Sequence, residues 1–126
     1  MATILIATDD SGLYDILSAE ITGEGHDTIW AVDGREAVEM ALEQQPNLVL
    51  LDAHLPVHDG YAVCQLLRAD PEVPARTPIL ILADEDLNVH KLEQSGATDQ
   101  FPKTHLAQEL IDAVVKHLGP LAGPGF

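Results

Sequence analysis

The stretch LVLLDAHLPVHDGY, Leu48 to Tyr61, decides how this chain folds. Leu48 to Leu51 stand in a row with no polar residue between them. Such a run reads as a strand covered on both faces. It ends on Asp52, so a charge follows directly on the most apolar run of the chain. Pro56 and the Asp59-Gly60 pair then mark a loop. Tyr61, Val63, Leu66 and Leu67 follow at the spacing of one helical face.

The same unit repeats on either side. Thr3 to Ala7 (TILIA) predicts a buried strand, and Leu13, Ile16, Leu17 and Ile21 predict a helix stopped by Gly23 and Gly25. Asp27 to Val32 predicts a second strand. Asp33-Gly34 turns the chain, and Ala37, Val38, Ala41 and Leu42 line a second helix that Pro46-Asn47 breaks. Beyond the central segment, Pro71, Pro74 and Pro78 mark a loop, and Ile79 to Leu82 predicts a fourth strand. Residues 86 to 95 predict a weaker helix ended by Gly96. Thr98 to Phe101 predicts a short fifth strand, and Leu106, Leu110, Ile111, Val114, Val115 and Leu118 line a last helix.

Strict strand–helix alternation over five units predicts an α/β protein with a parallel sheet covered by helices on both sides. Right-handed crossovers leave few topologies, of which the doubly wound, flavodoxin-like five-stranded order 2-1-3-4-5 is the expected one. One domain is expected over residues 1–118, with 119–126 as a tail or linker.

Composition narrows the function. The chain has 126 residues, 46% of them hydrophobic, and a net charge of −15 from 21 acidic and 6 basic side chains. That balance argues against gripping nucleic-acid phosphates and suits basic partners or a cation. The single cysteine, Cys64, leaves no intrachain disulfide and fits a reducing compartment. No apolar run approaches the roughly 18 residues of a membrane span, and no charged-then-apolar leader is expected before the first strand. A cytoplasmic location without membrane attachment is the expectation.

In an open α/β sheet, ligands bind beyond the carboxyl ends of the strands, where the strand order reverses. Asp9 and Asp10 follow the first strand, Asp52 ends the third and Lys103 follows the fifth, so all four converge on one edge. Clustered carboxylates repel one another, and a hard divalent cation such as Mg²⁺ relieves that repulsion. An aspartate can act as a nucleophile and form an acyl phosphate. A lysine then supplies charge to the transferring phosphoryl group. Asp10 reads equally well as a helix cap.

These segments (ILIATDD, LVLLDAHLPVHDGY, PILILAD and ATDQFPK) resemble the receiver domain of bacterial response regulators, over residues 3 to about 118. The resemblance implies that Asp52 is the phosphoacceptor and Lys103 the lysine of the family motif. It implies that Asp9 is the acid that touches Mg²⁺, that Asp10 is the frequent acid after it, and that His54 lends its backbone carbonyl to the metal. Pro56, Asp59 and Gly60 match the turn that opens the third helix. The implied donor is a histidine kinase or phosphotransfer protein. An output domain or protein partner is implied downstream, and the chain itself is expected to be a monomer or weak dimer. It would be an acceptor rather than an enzyme, capable at most of dephosphorylating itself.

Five departures from the family pattern stand beside these matches. Thr8 occupies the place of the first acid of the pair; sliding by one would pair Asp9 with Asp10, at the cost of the helical register of Leu13, Ile16 and Leu17. Ala83 stands where a Ser or Thr hydroxyl is expected, and Asp84 where a small residue is. Gln100 replaces the switch aromatic, with Phe101 expected on the other face of the strand. Thr104 replaces a proline, so no cis bond is expected there. The usual coupling between hydroxyl and ring is therefore not expected, and any output is expected from the loop after Asp52 and the helix after Asp59.

Two other readings stay open: a pseudo-receiver that works as an interaction module without phosphorylation, and a metal-dependent phosphohydrolase. The second needs an acid close after the nucleophile, and His54 stands there instead. The six histidines show no zinc-helix spacing and are expected in solvated loops. Cys64 is expected as a packed helix residue, and Trp30 as core or sheet packing.

Overall fold

The five apolar runs form five strands, and a helix follows each of them. The computed structural model describes residues 2–83, 89–103 and 107–118. In chain order these are β1 (Thr3–Ala7), α1 (Ser11–Gly23), β2 (Asp27–Ala31), α2 (Gly34–Gln44), β3 (Leu48–Asp52), α3 (Gly60–Ala69), β4 (Ile79–Ala83), α4 (Val89–Ser95), β5 (Asp99–Pro102) and α5 (Ala107–Leu118). All neighbouring strands run parallel, in the order β2-β1-β3-β4-β5. Boundaries shift by a residue or so: β2 stops at Ala31, and β5 starts at Asp99 and runs on to Pro102. The expected helix over 86–95 is described from Val89, and residues 86–88 lie outside the described residues. So do Asp84, Thr104, the start of the last helix at Leu106, and the expected tail 119–126.

Continuous apolar strands need cover on both faces, and period-two alternation sorts their side chains. Leu5, Ala7, Val49, Leu51, Ile79 and Ile81 point to one side, where Ala37 and Ala41 of α2 and Val63, Cys64 and Leu67 of α3 meet them. Ile4, Ile6, Leu48, Leu50, Leu80 and Leu82 point to the other, against Leu17 and Ile21 of α1 and Leu110 and Val114 of α5. Phe101 packs in this second cluster, on the side expected for it. Cys64 is fully buried, and burial pushes its thiol up, away from the reactive thiolate.

Aspartates open three helices by accepting a backbone N–H at their N-termini. Asp10 accepts from Leu13, Asp33 from Glu36 and Asp59 from Ala62. The C-terminus of α1 closes as expected, with Gly25 at φ 92°, a conformation that suits a residue without a Cβ. Among the described residues, no helix is long and apolar enough to cross a membrane.

Three histidines depart from the expectation of solvated loops: His90 lies on α4, His117 on α5, and His26 is buried. His54, His58 and His90 are exposed, but His26 is buried, 4% exposed. Its Nδ1 accepts the N–H of Ala2 at 3.2 Å, which ties the start of β1 to the start of β2. Burial pushes its pKa below the ordinary value, and the carboxylates of Glu24 and Asp27 only partly oppose this. The folded state therefore keeps His26 neutral while the unfolded chain takes up a proton below about pH 6.5. Stability should fall as pH drops through that value, down to the lower pKa of the folded state. In His26→Gln this part of the pH dependence should vanish from urea midpoints measured between pH 7.5 and 5. Parallel curves for the two proteins would refute it.

Candidate functional site

Beyond the carboxyl ends of β1 and β3 the sheet order reverses, and there the topology brings Thr8 and Asp52 together, with Asp9 next in the chain. Ala7 lies opposite Leu51 in the ladder, so the next residue of each strand, Thr8 and Asp52, meets at the edge. Asp52 is 1% exposed. A carboxylate so buried is costly unless donors hold it. Three do. The Lys103 ammonium lies 2.7 Å from Oδ1, the His54 backbone N–H donates to Oδ1 at 2.9 Å, and the Thr8 hydroxyl donates to Oδ2 at 2.8 Å. Lys103 reaches the site because β5 pairs with β4 up to Pro102, which delivers the next residue to the same edge.

The acids of the first strand separate. Asp9 and Asp10 are both exposed, and Oδ1 of Asp10 accepts the Leu13 N–H at 3.1 Å as the cap of α1. Thr8 is fully buried at the acceptor. Thr8, not Asp9, takes the inward position beside the acceptor. All oxygen donors here are hard, which fits Mg²⁺: the Asp9 and Asp52 carboxylates and the His54 carbonyl would hold it, with water filling the remaining positions. Among the described residues, no group of three or more His, Cys, Asp or Glu side chains gathers as a metal cluster.

The loop after Asp52 is held by its backbone. Gly60 N–H donates to the Ala53 carbonyl at 3.1 Å, and Gly34 N–H to the Pro56 carbonyl at 2.9 Å. A Cβ on Gly60 would lie 2.5 Å from the Asp52 carbonyl oxygen, so the helix start can approach the acceptor only with glycine there. Gly34 is tighter still, against the His58 carbonyl oxygen. Between them, Val57 sits at φ 72° and is 68% exposed. A β-branched residue in left-handed backbone is strained by about 1–2 kcal/mol. Asn tolerates that conformation, so Val57→Asn should raise the unfolding free energy by about 1 kcal/mol. A denaturant midpoint at or below that of the unchanged protein would contradict this.

Both atypical switch positions are buried. Ala83 ends β4, 3% exposed, and brings no hydroxyl to the site. Gln100 is 8% exposed, and its Oε1 accepts the Tyr61 hydroxyl at 3.0 Å. The ring missing at position 100 is thus replaced by one from α3, with the Lys91 ammonium 5.6 Å from its centroid. Burial, and then Asp59, push the Tyr61 phenol above its ordinary pKa, so it stays a donor.

Sequence reading missed three contacts: Thr8 to Asp52, Tyr61 to Gln100, and the Trp30 indole N–H to the Thr8 carbonyl at 2.9 Å. Thr8 had registered only as a missing acid. The signal for Trp30 was the parallel register: it lies opposite Ile6, two residues short of Thr8.

The fold has relatives among known proteins. Residues 4–115 match the model of the response regulator receiver domain. The signal receiver domain of a signal transduction histidine kinase from Syntrophus aciditrophicus is 26% identical, with TM-score 0.88 over 99% of this chain and 96% of that one. The receiver domain of sensor histidine kinase PA1611 from Pseudomonas aeruginosa, solved with a magnesium ion coordinated in the active site cleft, is 28% identical. Its TM-score is 0.84 over 94% of this chain and 98% of that one. The chemotaxis protein CheY4 of Vibrio cholerae is 25% identical, with TM-score 0.85 over 94% and 99%.

Proposed function

Because the chain belongs to the response regulator receiver domain family, we propose that it accepts a phosphoryl group on Asp52 from a histidine kinase or phosphotransfer protein. One observation carries this reading: the buried Asp52 carboxylate lies 2.7 Å from the Lys103 ammonium at the switch point of the sheet. In the transfer, a carboxylate oxygen of Asp52 forms a bond to phosphorus as the donor's bond to phosphorus breaks. The donor leaves with that electron pair. Lys103 is placed to neutralise charge on the phosphoryl oxygens. The His54 N–H holds the carboxylate in line. Mg²⁺, held by Asp9, Asp52 and the His54 carbonyl, would supply the remaining positive charge; the magnesium-bearing P. aeruginosa relative supports this assignment. Thr8 in place of an acid leaves less negative charge at the site, so the affinity should be modest. The chain is an acceptor rather than an enzyme, and its free, buried Cys64 suits a cytoplasmic setting.

A second reading, an interaction module that signals without phosphorylation, is favoured by Ala83, which offers no hydroxyl to a phosphoryl group. Intact mass after incubation with acetyl phosphate and Mg²⁺ separates the two. A single phosphoryl adduct is expected on the unchanged protein and none on Asp52→Asn. No adduct on the former, or equal adducts on both, would favour the module.

A further inference from the structure

The phosphoacceptor lacks its usual reporter on β4, yet a different hydroxyl touches it. We propose that Thr8 is the positioning residue through which the state of Asp52 is read, and that the response runs through Trp30 toward β2 and α1 rather than toward β4 and β5. This rests on the phosphoacceptor reading of Asp52.

Thr8 is fixed from every side. Its N–H donates to the Ala31 carbonyl at 3.0 Å, its carbonyl accepts the Trp30 indole N–H at 2.9 Å, and its Oγ1 accepts the Asp10 N–H at 3.1 Å. A backbone N–H can only donate, so the hydroxyl proton is left for Oδ2 of Asp52, 2.8 Å away. That bond is charge-assisted as long as Asp52 is a free carboxylate. Phosphorylation ends this whichever oxygen is taken. Oδ2 becomes either the bridging oxygen or the carbonyl oxygen of an acyl phosphate, and neither carries the carboxylate charge. Thr8 thus interacts differently with the two states, which is the condition for shifting an equilibrium.

Beyond Thr8 the contacts continue outward. Trp30 stacks on Tyr14 of α1, with centroids 4.5 Å apart and planes 7° from parallel. The Tyr14 hydroxyl bonds Thr28 Oγ1 at 3.0 Å, and Thr28 in turn bonds Ser18 Oγ at 2.9 Å. One hydrogen-bonded and stacked path therefore joins the acceptor to α1. On the opposite side the Ala83 side chain has no hydrogen bond to give, and Gln100 is held by Tyr61.

Trp30 is the only tryptophan, so its indole N–H gives one unambiguous NMR signal. The full chain is titrated with beryllofluoride and Mg²⁺, and the adduct is followed by fluorine NMR. In the unchanged protein and in Thr8→Ser the indole signal should move as the adduct forms. In Thr8→Val the adduct should form while the indole signal stays within its linewidth. A static indole signal in the fully liganded unchanged protein, or equal movement in Thr8→Val, overturns the proposal. If Thr8→Val does not fold, the backbone amides of the unchanged protein decide: shifts must be larger across residues 11–31 than across 89–103, and the reverse overturns the proposal. Absence of any adduct on the unchanged protein instead overturns the phosphoacceptor reading, and this inference with it.

Discussion

Gly60→Ala is expected to remove about 2–3 kcal/mol of stability and to lower the melting temperature by on the order of 10 °C. The new Cβ would fall 2.5 Å from the Asp52 carbonyl oxygen and 3.0 Å from the Ala53 Cα. These are backbone atoms within the ladder, since Ala53 N–H donates to the Leu82 carbonyl at 2.8 Å, and they cannot rotate aside. Either α3 lifts away from the sheet or the end of β3 shifts, and in the second case the acceptor moves with it. Phosphorylation should then slow beyond what lost stability explains. Gly23→Ala is the matched control: nothing lies within 4 Å of its Cβ position, so its melt should be unchanged or slightly higher. Equal melting temperatures for Gly60→Ala and the unchanged protein would show that the contact yields.

Lys103→Met is expected to slow phosphorylation by acetyl phosphate by about 10²–10³-fold, the usual cost of removing one preorganised charge from a transferring group. The fold should survive. Oδ1 of Asp52 keeps the His54 N–H and Oδ2 keeps the Thr8 hydroxyl, so the carboxylate stays held after the ammonium at 2.7 Å is gone. A stability loss of roughly 1–3 kcal/mol is expected for a buried charge left with fewer partners. Adduct growth by intact mass gives the rate, and urea unfolding gives the stability. A rate within about threefold of the unchanged protein would remove Lys103 from the chemistry.

Much of this architecture is legible in the residues because a parallel sheet leaves plain marks. Strands such as LVLL and ILIL are apolar without alternation, since helices cover both faces, and Asp, Gly and Pro punctuate the connections. The convergence of Asp52, Asp9 and Lys103 on one edge followed from strand order alone. Three contacts did not follow, two at the site and one at the far end of the sheet. Thr8 has no acid–base signature, and its bond to Asp52 depends on which way a hydroxyl turns inside a packed edge. Tyr61 reads as one apolar position of a helix, and only the placement of α3 against β5 reveals that its oxygen ends at Gln100. His26 looks like a loop histidine, because its burial and its bond to the Ala2 N–H arise only where the starts of β1 and β2 come together. Period and composition report local environment, whereas these contacts are settled by where distant elements come to rest.

The strand order also governs how the protein is made. β1 is synthesised first and lies between β2 and β3, yet the Ile4 to Leu48 pairing joins residues separated by all of α1, β2 and α2. A growing chain that has released β2 but not β3 carries β1 with one edge bare, in a segment as apolar as Ile4-Leu5-Ile6. Such an edge invites pairing with another chain until its partner emerges. The strand that closes it ends at Asp52, so the pairing that seals the middle of the sheet is also the one that sets the acceptor beside Thr8.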